Sequence, residues 1–321
     1  MFARKITAGL IAFTVVLLAA CAAPAVAPTP VQPVLMRIGV LPITDVVPFY
    51  VAQQQGYFLK QGLAVELVPA ASAAERDQMM LTGQIDGQLN DLVSTVLLNS
   101  TSPKIKIVRQ ARIAFKNAPE YWILTPKDSA IKTAQDLRGK EIAISQNSVI
   151  EYVTQRLLES EGLSAADIKT TNVPAIPTRL QLLTQGQVAA ATLPDPLASL
   201  AILQGARIVV DDSKYTQFSM SVISFRIEVI AQRSADIKRF LAGYDQAIND
   251  IRTQPDSFRN TLIEQGRVPD QLKDVYKFPP FPDPGLPTQA QWNDVVKWAM
   301  DRQLIKSAVT FDSSVDSGFV K

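Results

Sequence analysis

The sequence predicts a two-lobed α/β protein, each lobe a doubly wound, mostly parallel sheet flanked by helices, with a ligand cleft between the lobes. Three observations carry this expectation. Short apolar, β-branched runs alternate with helical patterns, the order expected of βαβ units. The pattern then returns after about 100 residues. ITDVVPFYVAQQQGYFLKQGL from Ile43 is answered by ISQNSVIEYVTQRLLESEGL from Ile144, and LTGQIDGQLNDLVSTVLL from Leu81 by LTQGQVAAATLPDPLASLAIL from Leu183. Two separated landmarks superposed by nearly the same shift indicate two similar units. Finally, Ser219–Ala231 (SMSVISFRIEVIA) is long, apolar and β-branched, as a strand returning from the second lobe to the first should be.

The elements follow in order. Residues 1–20 open with Arg4 and Lys5, run apolar from Ile6 to Leu18 and end in small residues, the pattern of a secretory signal too short to span a bilayer comfortably. Leu18-Ala19-Ala20-Cys21 reads as a lipoprotein box that makes Cys21 the lipidated mature N-terminus. Residues 21–35, rich in Ala and Pro, form a semi-rigid tether. Strands are expected at Arg37–Leu41, Val65–Val68 and Gly87–Leu89, and helices at Phe49–Lys60, Ala73–Thr82 and Asp91–Leu98. The second copy supplies their counterparts. Helical stretches follow at Ala235–Arg252, Pro255–Gln265, Asp270–Val275 and Gln289–Asp301. The proline-rich connector Lys277–Pro287 is neither helix nor central strand. Lobe one thus comprises residues 36–125 and 222–321, and lobe two residues 126–221.

Composition narrows the chemistry. The 321 residues include no histidine and one cysteine. That excludes Ser-His-Asp and Cys-His nucleophile pairs, His-ligated metals, intramolecular disulfides and CxxC redox pairs. The 32 Lys and Arg against 30 Asp and Glu become balanced once Arg4 and Lys5 leave with the signal, so no nucleic-acid partner is indicated. No catalytic residue, cofactor or metal site is expected.

Ligands of open α/β sheets bind beyond the carboxyl ends of the strands, at loops leading into helices. There the sequence places Asp45, Asp91 and Asp195 with Asn90 and Asn147, and Arg179 as the one cation, so an acidic mouth is expected. Asp45 suits either a helix cap or a hydroxyl acceptor, and Asp91 and Asp195 have the same two readings. Among the aromatics, Tyr121 and Trp122 are adjacent on a strand, so one faces the core and the other is free to face the cleft. Tyr50 and Tyr152 match under the repeat shift and would sandwich a flat ring.

The lipobox, the strand ending in Pro-Ile-Thr-Asp, the run PFYVAQQQGYFLKQGLAVEL, DLRGKEIAIS (Asp136–Ser145) and LPDPLASL (Leu193–Leu200) together resemble the substrate-binding lipoproteins of ABC importers. The matching branch takes up sulfonates, nitrate, thiamine pyrimidine precursors or riboflavin. The resemblance covers nearly all of the mature chain and implies the type 2 periplasmic-binding-protein-like fold. It also implies a monomer, lipid-anchored on the extracytoplasmic side of the cell membrane, that serves an ABC permease and its ATPase. The acidic first loop and the tether are most similar to the riboflavin-binding lipoproteins. On that reading Asp45, Asn90, Asp91 and Asn147 bind ribityl hydroxyls and the ring edge, while Tyr50, Tyr121, Tyr152 or Trp122 stack on the isoalloxazine. The alternatives are a thiamine pyrimidine precursor, or a sulfonate or nitrate, in the same role. The related fungal thiamine-pyrimidine synthases use a histidine and a cysteine cluster that this chain lacks, so catalysis is not expected.

Overall fold

The structure, a computed structural model, describes residues 1–2 and 32–320. The signal segment from residue 3, Cys21 and the tether up to residue 31 therefore lie outside the described residues. The fold belongs to the unit from Pro33 onward.

The first copy of the repeat runs β1 (Val34–Val40), α1 (Val47–Gln54), α2 (Tyr57–Lys60), β2 (Leu63–Pro69), α3 (Ala73–Leu81), β3 (Gly87–Asp91), α4 (Leu92–Leu98), β4 (Ile105–Ile113) and β5 (Tyr121–Thr125). The second runs β6 (Glu141–Ile144), α5 (Val149–Ser160), β7 (Lys169–Asn172), α6 (Ile176–Thr184), β8 (Ala190–Pro194), α7 (Leu197–Leu203), β9 (Arg207–Asp211) and β10 (Met220–Arg226). The chain ends in α8 (Ile227–Thr253), α9 (Arg259–Gln265), α10 (Gln289–Asp301) and α11 (Phe311–Ser314).

Two five-stranded sheets result, in the orders β2-β1-β3-β10-β4 and β7-β6-β8-β5-β9. β1 is parallel to β2 and β3, and β6 to β7 and β8. β10 and β5 are antiparallel to their neighbours. The two orders are the same pattern written twice. Each copy builds four strands of its own sheet and sends its last strand into the other. The lobes are therefore joined by two exchanged strands.

Several boundaries differ from the sequence reading. The crossover expected at residue 125 falls earlier, because Tyr121–Thr125 already pairs with β8 and β9 of the second sheet. β4 lacks a strand pattern in the sequence, since Lys106, Arg109, Gln110 and Arg112 interrupt its apolar run. Val34 and Leu35, assigned to the tether, pair with Leu63 and Ala64 as the start of β1. The returning strand stops at Arg226 rather than Ala231, and Val229 is buried instead as part of α8. The single helix expected over 49–60 is broken at Gly56, whose φ of +67° suits a residue without Cβ.

Packing explains how the lobes are held. Under the first sheet, Phe58 stacks on Phe240 at 5.0 Å, and Phe49 meets Tyr244 at the same spacing. A second apolar cluster joins Leu92, Val93 and Val96 of α4 to Ile150 and Val153 of α5 through Val295 and Trp298 of α10. Trp298 Nε1 donates to Gln155 Oε1 at 2.9 Å, and Tyr152 Oη donates to Asp294 at 2.6 Å. α10 is thus a strap across both lobes, beside the exchanged strands.

Candidate functional site

The strand tips of the two sheets face a shared cavity of about 330 Å³, within the size range of small-molecule sites. Lobe one contributes Leu41–Ile43 and Asp45 ahead of α1, Ser72 and Ala73 at α3, and Asn90 and Asp91 at α4. Lobe two contributes Ser145 and Ser148–Ile150 at α5, Pro174 and Pro177 at α6, and Pro194–Leu197 at α7. Helix starts from both lobes therefore converge on one space. Three are capped by their own side chains: Ser72 accepts from Glu75 N, Asp91 from Ser94 N at 2.8 Å, and Ser148 from Ile150 N at 3.2 Å. The positive ends of the helix dipoles consequently point into the cavity.

The floor is charged. Arg112 of β4 donates to Asp45 at 2.8 Å and to Thr44 at 3.0 Å, while Asp45 also accepts from Ser221 Oγ at 2.8 Å. Burial pulls the Arg112 guanidinium down, but Asp45 and Glu120 outweigh it and hold it above its ordinary value. Burial, reinforced by Asp45 and against the pull of Arg112, pushes the Glu120 carboxyl well up. Arg76 of α3 is fully buried, bound to Asp77 at 2.8 Å and to the Leu89 carbonyl at 3.0 Å. Asp91 lies 3.9 Å from it and is pushed by burial up to about 6. Asp195 accepts from Ser199 Oγ at 2.7 Å and from Tyr276 Oη at 3.1 Å, and burial raises it too. Asp212 accepts from the backbone N–H groups of Glu120 and Tyr121, which fixes the start of β5.

Five of the nine residues singled out from the sequence line this cavity: Asp45, Asn90, Asp91, Tyr121 and Asp195. Four do not. Tyr50 turns from α1 onto the first lobe's apolar cluster. Tyr152 lies in the core between Phe218 and Trp298. Trp122, next to Tyr121 on the strand, packs with Leu124 and Leu193 on the opposite face. Asn147 takes a positive φ, and its backbone N–H donates to Glu151 at 2.6 Å. Asp45, a candidate cap by its sequence position, makes no cap bond and sits in a short 3₁₀ turn before α1.

The expectation of Arg179 as the one cation at the cleft is corrected. Arg76, Arg112 and Arg267 are all in the cavity wall, and Arg179 is sealed beneath it. Arg112 carries no signal, because its run lacks a strand pattern. Arg76 was detectable in principle, being four residues after the Ser72 cap on a helix leading from a strand tip. Among the described residues, no group of three or more Cys, Asp or Glu is arranged to hold a metal ion.

Residues 43–258 match the sequence model of the family described as NMT1/THI5 like. The chain belongs to this family. Over 133 residues it is 31% identical to an Escherichia coli (strain K12) protein described as "Putative aliphatic sulfonates-binding protein", and over 123 residues it is 27% identical to a Haemophilus influenzae "Putative thiamine biosynthesis protein". These matches span 41% and 38% of this chain, and the same shares of the two relatives. Solved structures show the same fold at greater sequence distance. The alkanesulfonate-binding protein SsuA of Xanthomonas axonopodis pv. citri, bound to MOPS, matches with a TM-score of 0.75 at 17% identity, covering 89% of this chain and 99% of that one. The periplasmic aliphatic sulphonate binding protein SsuA of Escherichia coli matches with a TM-score of 0.75 at 21% identity, covering 89% and 92%. The nitrate-binding protein NrtA of Synechocystis PCC 6803 gives 0.66 at 14%, covering 88% and 84%. The two-lobed periplasmic-binding-protein-like architecture is thus that of this chain.

Proposed function

We propose that the chain is the extracytoplasmic solute-binding protein of an ABC importer, anchored through a lipid on Cys21, that closes its lobes on a small organic anion with an apolar body, of the sulfonate kind. The observation that carries this reading is the convergence of helix starts from both lobes on one cavity whose remaining surface is largely Leu, Ile, Val and Pro. Backbone N–H groups at helix starts suit an oxyanion head. The apolar walls suit an alkyl or aryl tail. A riboflavin guest loses its main support, because Tyr50 and Tyr152, the two rings meant to sandwich it, face away from the cavity. One observation favours a second cargo. The buried Asp91 carboxyl, raised to about 6, could exchange a proton or hydrogen bond with the amine of a thiamine pyrimidine precursor. With no histidine, and with Asp45, Asp91 and Asp195 bound up in an ion pair, a cap and hydroxyl contacts, we read the site as one for holding rather than for reaction.

Thermal denaturation of the mature chain against alkanesulfonates, aminopyrimidines and riboflavin separates these cargoes. A ligand at one hundred times its Kd adds about 2.7 kcal/mol, a rise of roughly 4 °C in a chain of this size. Alkanesulfonates are expected to produce it. A rise with aminopyrimidine or riboflavin alone would overturn the choice of cargo.

A further inference from the structure

The buried arginines of lobe one all have carboxylate partners: Arg76 with Asp77, Arg109 with Asp245, and Arg112 with Asp45. Arg179 of α6 does not. Its side chain is fully buried, and among the described residues nothing accepts a hydrogen bond from Nε, Nη1 or Nη2. A guanidinium carries five donors in a planar fork and stays charged in proteins. Burial pulls this one down to about 10, with Tyr121 acting slightly against it, so it remains a cation at neutral pH. A buried cation with every donor empty is costly, and such groups are normally paired.

Its position relates that cost to the cavity. Arg179 lies one turn after Ile176, which lines the cavity, and Tyr121 lines it as well. The guanidinium is therefore behind the wall formed by the start of α6 and Tyr121. We propose that Arg179 is the counter-ion for the solute's oxyanion head, a specificity-determining residue that meets a sulfonate or carboxylate bidentately when the wall yields at Tyr121. The proposal rests on the anionic-cargo reading above and goes further by assigning the head group to one residue of lobe two. The planar fork matches two oxygens of such a head, which a lysine ammonium cannot do.

The test compares the wild-type mature chain with Arg179→Met and Arg179→Lys by thermal shift and calorimetry. The probes are inorganic sulfate, hexanesulfonate and the uncharged hexanesulfonamide. Met keeps the volume and removes the orphan charge, so the ligand-free variant is expected to melt no lower than wild type. Hexanesulfonate affinity should fall at least tenfold in Arg179→Met and less in Arg179→Lys, with the sulfonamide unaffected. If Arg179→Met binds hexanesulfonate as wild type does, the assignment of Arg179 is wrong and the cargo reading stands. If wild type ignores hexanesulfonate but sulfate raises its melting temperature only with Arg179 present, the oxyanion site stands and the cargo reading falls. If no anion stabilises the wild type, both fall.

Discussion

The two lobes share one strand order but present different faces to the cavity. Lobe one brings charge that is mostly paired: Arg112 holds Asp45, Arg76 holds Asp77, and Asp91 caps α4, while Arg267 lines the cavity outside these pairs. Lobe two brings Pro174, Pro177, Pro194 and Pro196 at the starts of α6 and α7, with Ile176 and Leu197 beside them. Proline has no N–H, so these two starts offer shape and apolar contact but few donors. Backbone donors from lobe two come chiefly from α5, at Ser148–Ile150. One strand order thus carries two unlike faces, a platform of mostly paired charge and an apolar jaw.

Breaking the platform should cost most. Asp45→Ala leaves Arg112 buried without its carboxylate, and such losses run to about 3–5 kcal/mol. The urea midpoint should drop accordingly, whereas an unchanged midpoint would mean that Thr44 and the Pro119 carbonyl suffice for Arg112. The next effect depends on pH. Burial raises the folded Asp91 carboxyl from 3.8 to about 6, so the protonated form favours the fold. That contribution, about 3 kcal/mol by linkage, is complete below pH 4 and is lost as pH rises through 6. Asp91→Asn keeps an N-capping residue and should flatten this part of the stability profile. Some slope will remain, because burial also raises Asp212 to about 6. Equal slopes for variant and wild type would refute the assignment to Asp91. The smallest effect sharpens the contrast between core and cavity: Tyr152→Phe loses the bond to Asp294, worth about 1 kcal/mol, and should leave ligand affinity unchanged. A weakened affinity would return Tyr152 to the site.

Much of the architecture was legible because periodicity and duplication are written in apolar spacing. The strand–helix alternation, the repeat and the strand-tip loops at Asp45, Asn90 and Asp195 needed no tertiary knowledge. The faces of the helices did not come through. Tyr50 and Tyr152 are equivalent under the repeat, and both pack into the flanking layer. Equivalence was readable, but which side of the helix met the cleft was not. Charge was hidden for another reason. Arg112 reaches the cavity from within a strand whose polar residues concealed it, and only the fold shows that Asp45 neutralises it.

A solute held between the lobes should be displaced by filling the cavity, which calorimetric titration of the mature chain and of Leu197→Trp with hexanesulfonate measures. Leu197 lines the cavity from α7, and an indole there would occupy the space of the tail. One site per chain with a negative heat-capacity change is expected for wild type, and no measurable binding for the filled variant. Equal affinity in the two proteins would place the solute outside this cavity.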